Sequence, residues 1–149
     1  MAMKDFQDIA NNVVVNKAYL ETSIAKFNSA QARIFKKITS VMESGNETLP
    51  LFVSAFGGTG KSFVIEIVVQ WNKCARGKDT AVTAPTGIAA FNVKRLAIHR
   101  LLQLPVKPKG IAKYKGLTAS AIKEIRKKLE NVDLIIIDEI SMVSYIMLL

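Results

Sequence analysis

The run Ala55-Phe56-Gly57-Gly58-Thr59-Gly60-Lys61-Ser62 constrains this chain more than any other feature. Glycines at Gly57, Gly58 and Gly60 let the backbone curl until successive N–H groups converge on one anion. Ahead of the run, Leu49 to Ala55 is short and apolar, with Pro50 near its start, and reads as a buried strand. Behind it, Ser62 to Arg76 is apolar nearly all round and long enough for a helix, which Gly77 ends as a left-handed cap. A strand, a glycine loop and a helix in that order place the positive end of the helix where the N–H groups converge. Such a cradle suits phosphate. Gly57, Gly58, Thr59, Gly60, Lys61 and Ser62 are the candidate nucleotide-binding residues, with Lys61 reaching the β- and γ-phosphates and the Ser62 hydroxyl ligating Mg²⁺.

The second half of a nucleotide site follows in Leu134-Ile135-Ile136-Ile137-Asp138-Glu139, with Asp138 lying 77 residues after Lys61. An apolar strand ending in two carboxylates needs compensation for the charge it brings towards the interior. A metal ion and a water provide it, with Asp138 holding Mg²⁺ through its water shell and Glu139 orienting and deprotonating the attacking water. Lys61 and Glu139 are the candidate catalytic residues, and Ser62 and Asp138 the candidate metal ligands.

Elsewhere the pattern alternates helices and strands, as a parallel α/β sheet requires. Asn28 caps a helix over residues 28–43, with Gln31 as its capping-box partner and Ile34, Phe35, Ile38, Val41 and Met42 on its buried face. Thr80 to Ala84 reads as a strand and Gly87 to Asn92 as a short helix. Residues 104–117 read as an exposed loop. Thr118 starts a helix with Ile122, Ile125 and Leu129 inward and Lys123, Arg126, Lys127 and Lys128 outward. Val132 to Ile137 reads as a strand covered on both faces. The three runs at residues 50–55, 80–84 and 132–137 are expected to form the core of the sheet.

Charge sharpens the picture. The 149 residues carry a formal net charge of +9, yet residues 94–128 hold 11 basic residues and one acid. Nearly all the excess sits in that stretch, which reads either as a solvated surface or as one that tracks phosphates. The single cysteine, Cys74, excludes a disulfide framework and a cysteine-rich zinc site. No uncharged apolar run of membrane-spanning length occurs, and the N-terminus lacks the apolar segment of a secretory signal.

Three blocks together resemble a known family: Phe56 to Ser62, Thr83-Ala84-Pro85-Thr86-Gly87-Ile88-Ala89-Ala90, and Asp138-Glu139-Ile140-Ser141-Met142. They look like the first three motifs of the Pif-one (petite integration frequency) DNA helicases, a superfamily-one branch related to the RecD helicases. Phe27 to Gln31, with Ile34-Phe35, is similar to that group's adenine-sensing glutamine motif. The resemblance implies a RecA-like phosphate-loop NTPase of the α/β class, a parallel sheet with helices on both faces. Residues 1–26 would then be an N-terminal extension and residues 27–149 an incomplete first motor domain.

It also implies an ATP-dependent helicase that translocates on single-stranded DNA and unwinds forked duplex DNA, in repair, recombination and telomere maintenance. Magnesium would be its cofactor, and the setting intracellular, the nucleus first and the mitochondrion second, with no membrane partner. Gln31 would pair with the adenine edge, while Thr86, Gly87 and His99 would meet single-stranded DNA. Lys94-Arg95-Leu96-Ala97-Ile98-His99-Arg100 departs from the family by adding cations and losing hydroxyls. The apolar finish at Tyr145 to Leu149 reads as a fragment, itself expected not to unwind DNA. The alternatives are another phosphate-loop ATPase, or a non-catalytic nucleotide- or DNA-binding remnant.

Overall fold

A computed structural model describes residues 16–45, 48, 50–85, 96–103 and 116–143. They fall into two compact units, one ending at Gly77 and the other running on from Lys78. The first is helical: α1 (Lys17–Ala25), α2 (Ser29–Ser44) and α3 (Lys61–Arg76). Each helix starts or stops where local chemistry directs. The Asn16 side chain accepts the Tyr19 N–H, and the Asn28 side chain accepts the Gln31 N–H, completing the expected capping box. Gly45 and Gly77 close α2 and α3 in the left-handed conformation, at φ 65° and 64°.

Leu20, Ile67 and Trp71 form the centre of this unit, with Phe27, Phe35, Met42 and Phe63 packed around them. The rings of Phe27 and Phe35 lie 5.5 Å apart, those of Phe27 and Phe63 5.6 Å, and those of Phe35 and Trp71 6.1 Å, tilted or edge-on as aromatic quadrupoles prefer. The α2 residues expected to face inward, Ile34, Phe35, Ile38, Val41 and Met42, are all half-buried.

The second unit is built on a three-stranded parallel sheet in the order β2-β1-β3, from β1 (Asp79–Ala84), β2 (Leu96–Ala97) and β3 (Val132–Ile137). Thr80 to Thr83 pair with Leu134 to Ile137 after a register shift at Asp79. Among the described residues the unit also holds α4 (Ile98–Leu101), α5 (Ala119–Lys128), the latter capped by Thr118 as expected, and a 3₁₀ turn at Ile140–Met142. Ala81 and Leu101 are its buried centre, with Leu102, Leu129 and Val132 packed against them.

Four expectations need correction, the first being Ile122 of α5, placed inward but 37% exposed. Residues 50–56 form no strand, and Leu51, Phe52 and Val53 are exposed, Phe52 to 73%. Apolar character does not make a strand without a ladder partner, and Pro50 has no N–H to offer one. Strand β3 is not covered on both faces, since Asp133 and Ile135 are exposed, Ile135 to 49%. Finally, Lys128 is buried although placed outward, because the helix turns about 100° per residue and carries it off the side shared by Lys123 and Lys127. The short helix at Gly87 to Asn92, most of the 104–117 loop and the Tyr145 to Leu149 finish lie outside the described residues.

Candidate functional site

The glycine loop runs from Ala55 into the first turn of α3. Gly58 and Gly60 sit at φ 75° and 79°, a region that costs a residue with a Cβ roughly 1–2 kcal/mol. Gly60 caps α3 without any side-chain hydrogen bond, so the N–H groups of the first turn are left for an incoming acceptor. The Lys61 ammonium folds back over the loop and donates to the carbonyl oxygens of Ala55 and Phe56, each at 2.9 Å. The Thr59 hydroxyl donates to the same Phe56 oxygen at 2.9 Å. These bonds hold the loop around its own lysine. The contacts are exposed, so a phosphate oxygen can replace the carbonyls as the lysine's partner.

Gln31 ties the loop to α2, a link that sequence reasoning missed. Its Oε1 accepts the Asn28 N–H at 3.1 Å, and its Nε2 donates to the Thr59 carbonyl oxygen at 3.2 Å. One amide thus closes the capping box and steadies the glycine loop. The approach is close enough that a Cβ on Gly60 would lie 2.5 Å from that Nε2. Glycine is needed there for room as well as for φ. The spacing from Asn28 to Gln31 signalled the cap, but nothing local could signal a bond reaching 28 residues along the chain.

The acidic pair stands in the other unit, at the end of β3. The Asp138 N–H donates to the Thr83 carbonyl oxygen at 2.9 Å, carrying the ladder one residue beyond the strand. Thr83 is fully buried, and its hydroxyl donates to the Ile136 carbonyl oxygen at 3.1 Å. Asp138 Oδ1 accepts the Glu139 N–H at 3.0 Å. Glu139 itself takes a left-handed conformation, φ 54° and ψ 42°, before the 3₁₀ turn Ile140–Met142. A non-glycine residue held there is strained by about 1–3 kcal/mol, a pattern that clusters at functional sites. Asp138 is half-buried and Glu139 exposed.

His99 lies in α4, half-buried between the buried Ile98 and Leu101 on one side of the turn and the exposed Arg100 on the other. Thr86 and Gly87 lie outside the described residues. No cluster of three or more His, Cys, Asp or Glu side chains occurs among the described residues. The donors on offer are hard oxygens, the Ser62 hydroxyl and the Asp138 carboxylate. Each oxygen, Ser62 in one unit and Asp138 in the other, is of the kind that Mg²⁺ takes beside its waters and substrate phosphates. Among the described residues no helix is long and apolar enough to cross a membrane.

Residues 26–148 match the sequence profile of a family described as PIF1-like helicase. The chain is 35% identical over 94 residues to the ATP-dependent DNA helicase PIF4 of Trypanosoma brucei brucei, a match covering 62% of this chain and 11% of that protein. It is 30% identical over 116 residues to the ATP-dependent DNA helicase PIF1 of Saccharomyces cerevisiae, covering 73% of this chain and 12% of that protein. It is 28% identical over 139 residues to the protein of the same name in Candida albicans, covering 87% and 14% respectively. The chain therefore matches only a small part of the length of these relatives. No solved structure matches it.

Proposed function

Because the chain belongs to the PIF1-like helicase family, we propose that it serves the nucleotide-binding half of an ATP-dependent DNA helicase. In this reading the protein moves along single-stranded DNA and opens forked duplexes, as part of repair, recombination and telomere maintenance within the nucleus or the mitochondrion. The observation that carries it is the glycine loop itself: an uncapped helix start, two left-handed glycines and a lysine held at the loop by exchangeable carbonyl contacts.

The chain's own residues then act as follows. The N–H groups at the start of α3 bind phosphate oxygens, and Lys61 leaves the Ala55 and Phe56 carbonyls for the β- and γ-phosphates. Gln31 and Thr59 keep the loop in place, and Gln31 pairs with the adenine edge. Glu139 orients the attacking water and accepts its proton. Ser62 and Asp138 would hold Mg²⁺, which supplies neutralisation of charge on the phosphates when bound. Thr86, Gly87 and His99 contact the DNA strand. This motor unit is RecA-like in the proposal, supported by the parallel sheet and by family membership.

The test is binding of a fluorescent ATP analogue by the 149-residue chain and by its Lys61→Ala variant. The variant is expected to bind about tenfold to a hundredfold more weakly while its circular dichroism spectrum stays that of the parent. Equal binding by the two chains would sink the proposal.

A further inference from the structure

Helix α5 exposes Lys123, Arg126 and Lys127. Spacings of three and four residues put all three on one side of the helix, with Cβ atoms about 5–6 Å apart. None of them has an ion-pair partner among the described residues. The acid within the helix, Glu124, is engaged elsewhere, since its Oε2 accepts from Gln103 Nε2 at 2.8 Å. Arg100, exposed on α4, adds a further cation to the same unit. The proposed nucleotide chemistry uses none of these residues.

We propose that this face of α5 lies against the phosphate backbone of double-stranded DNA, as a contact independent of base sequence. The inference rests on the nucleic-acid part of the reading above and adds a surface outside its motif residues. Two features select duplex over single strand. Surfaces for single strands pair their cations with aromatic platforms for the bases, and no exposed residue of α5 is aromatic. Duplex DNA also presents about one charge per 1.7 Å of axis, a density that rewards bare cations in a row. A lipid surface is disfavoured, because an interfacial helix needs a free face of large apolar side chains. Here Ile125 is half-buried, Leu129 just beyond the helix packs on the Ala81–Leu101 centre, and only Ile122 is exposed among the large apolar residues of α5.

The experiment is fluorescence anisotropy of a blunt hairpin duplex, with labelled oligodeoxythymidine in a parallel series, titrated with the 149-residue chain at several salt concentrations. In a Lys123→Gln, Arg126→Gln, Lys127→Gln variant the duplex salt slope should fall by about 2–3, at roughly 0.9 for each phosphate no longer neutralised. Oligodeoxythymidine should respond less, and binding of the fluorescent ATP analogue should not change. The single variant Arg126→Gln, which removes one exposed charge, should lower the slope by about 0.9. An unchanged slope, no duplex binding by the parent, or an equal loss on oligodeoxythymidine would each overturn the inference. So would tighter binding of the parent to phosphatidylserine vesicles than to the duplex. Loss of ATP-analogue binding in the parent would instead count against the proposed nucleotide function and leave this readout intact.

Discussion

The unit ending at Gly77 and the unit from Lys78 onward each present a short candidate-site turn, but they hold it by different means. The glycine loop is held by side chains, through the Gln31 amide, the Lys61 ammonium and the Thr59 hydroxyl. The acidic turn is anchored by main chain, through the Asp138 N–H on Thr83 and the β1–β3 ladder behind it, with the Asp138 carboxylate and the Thr83 hydroxyl adding one bond each. An aromatic cluster centres the first unit, whereas the sheet rests on aliphatic side chains around Ala81 and Leu101. A turn held by side chains can change partners when a ligand arrives. One held by a ladder keeps its carboxylates where the strand ends.

The largest expected effect breaks the first region alone. Trp71→Ala should cost about 3–5 kcal/mol of stability in chemical denaturation, as large-to-small changes in a core do. It should also loosen the loop by removing the ring on which Phe35 packs, seen as faster hydrogen exchange over residues 57–63. Equal loss of protection in β1 and β3 would show that the two regions do not differ as described. Next, Lys61→Ala should weaken ATP-analogue binding by about 1.5–3 kcal/mol, the range for a hydrogen bond to a charged group. Stability should hardly change, because the Lys61 hydrogen bonds it removes are exposed.

Smaller effects separate the two duties of Gln31. Asn28→Ala removes the cap and should cost about 1 kcal/mol of stability, measured by thermal unfolding. Gln31→Glu keeps an oxygen for the Asn28 N–H but turns a carboxylate towards the Thr59 carbonyl. It should leave the melting temperature near that of the parent while weakening binding of inorganic tripolyphosphate, a ligand with no base. Unchanged tripolyphosphate binding would confine Gln31 to cap and base recognition. Smallest of all, Thr83→Val should cost about 0.5–1.5 kcal/mol, one neutral hydrogen bond, and leave ATP-analogue binding unchanged.

Legibility in the sequence followed the range of the interaction. Asn28, Thr118 and Gly77 announced helix ends because capping is settled within a few residues. The strands at Thr80 to Ala84 and Val132 to Ile137 were legible from their apolar, β-branched runs, and both pair. The apolar run Leu51 to Ala55 does not, because a strand depends on a partner that its own residues do not encode. The glycine loop and the acidic pair were readable as chemistry. What escaped was how each is held: the bond from Gln31 to Thr59, the Thr83 clamp and the left-handed Glu139 all depend on contacts or backbone angles that no local spacing expresses.

The Gln31 amide has a further property that follows from simple valence. A side-chain amide offers two acceptor lone pairs and two donor hydrogens. Closing the capping box takes one lone pair, and steadying Thr59 takes one hydrogen. One acceptor and one donor stay free, the complement that the N6 and N7 edge of an adenine requires. The side chain is therefore a junction with capacity for a third client, and a base would join the existing bonds instead of displacing them. Whatever affinity the base end gains from a loop already in place, the phosphate end gains equally from a base already bound, because coupling between two ligand sites is reciprocal. In the proposed nucleotide site, a single uncharged residue would make the two ends of one ligand report on each other.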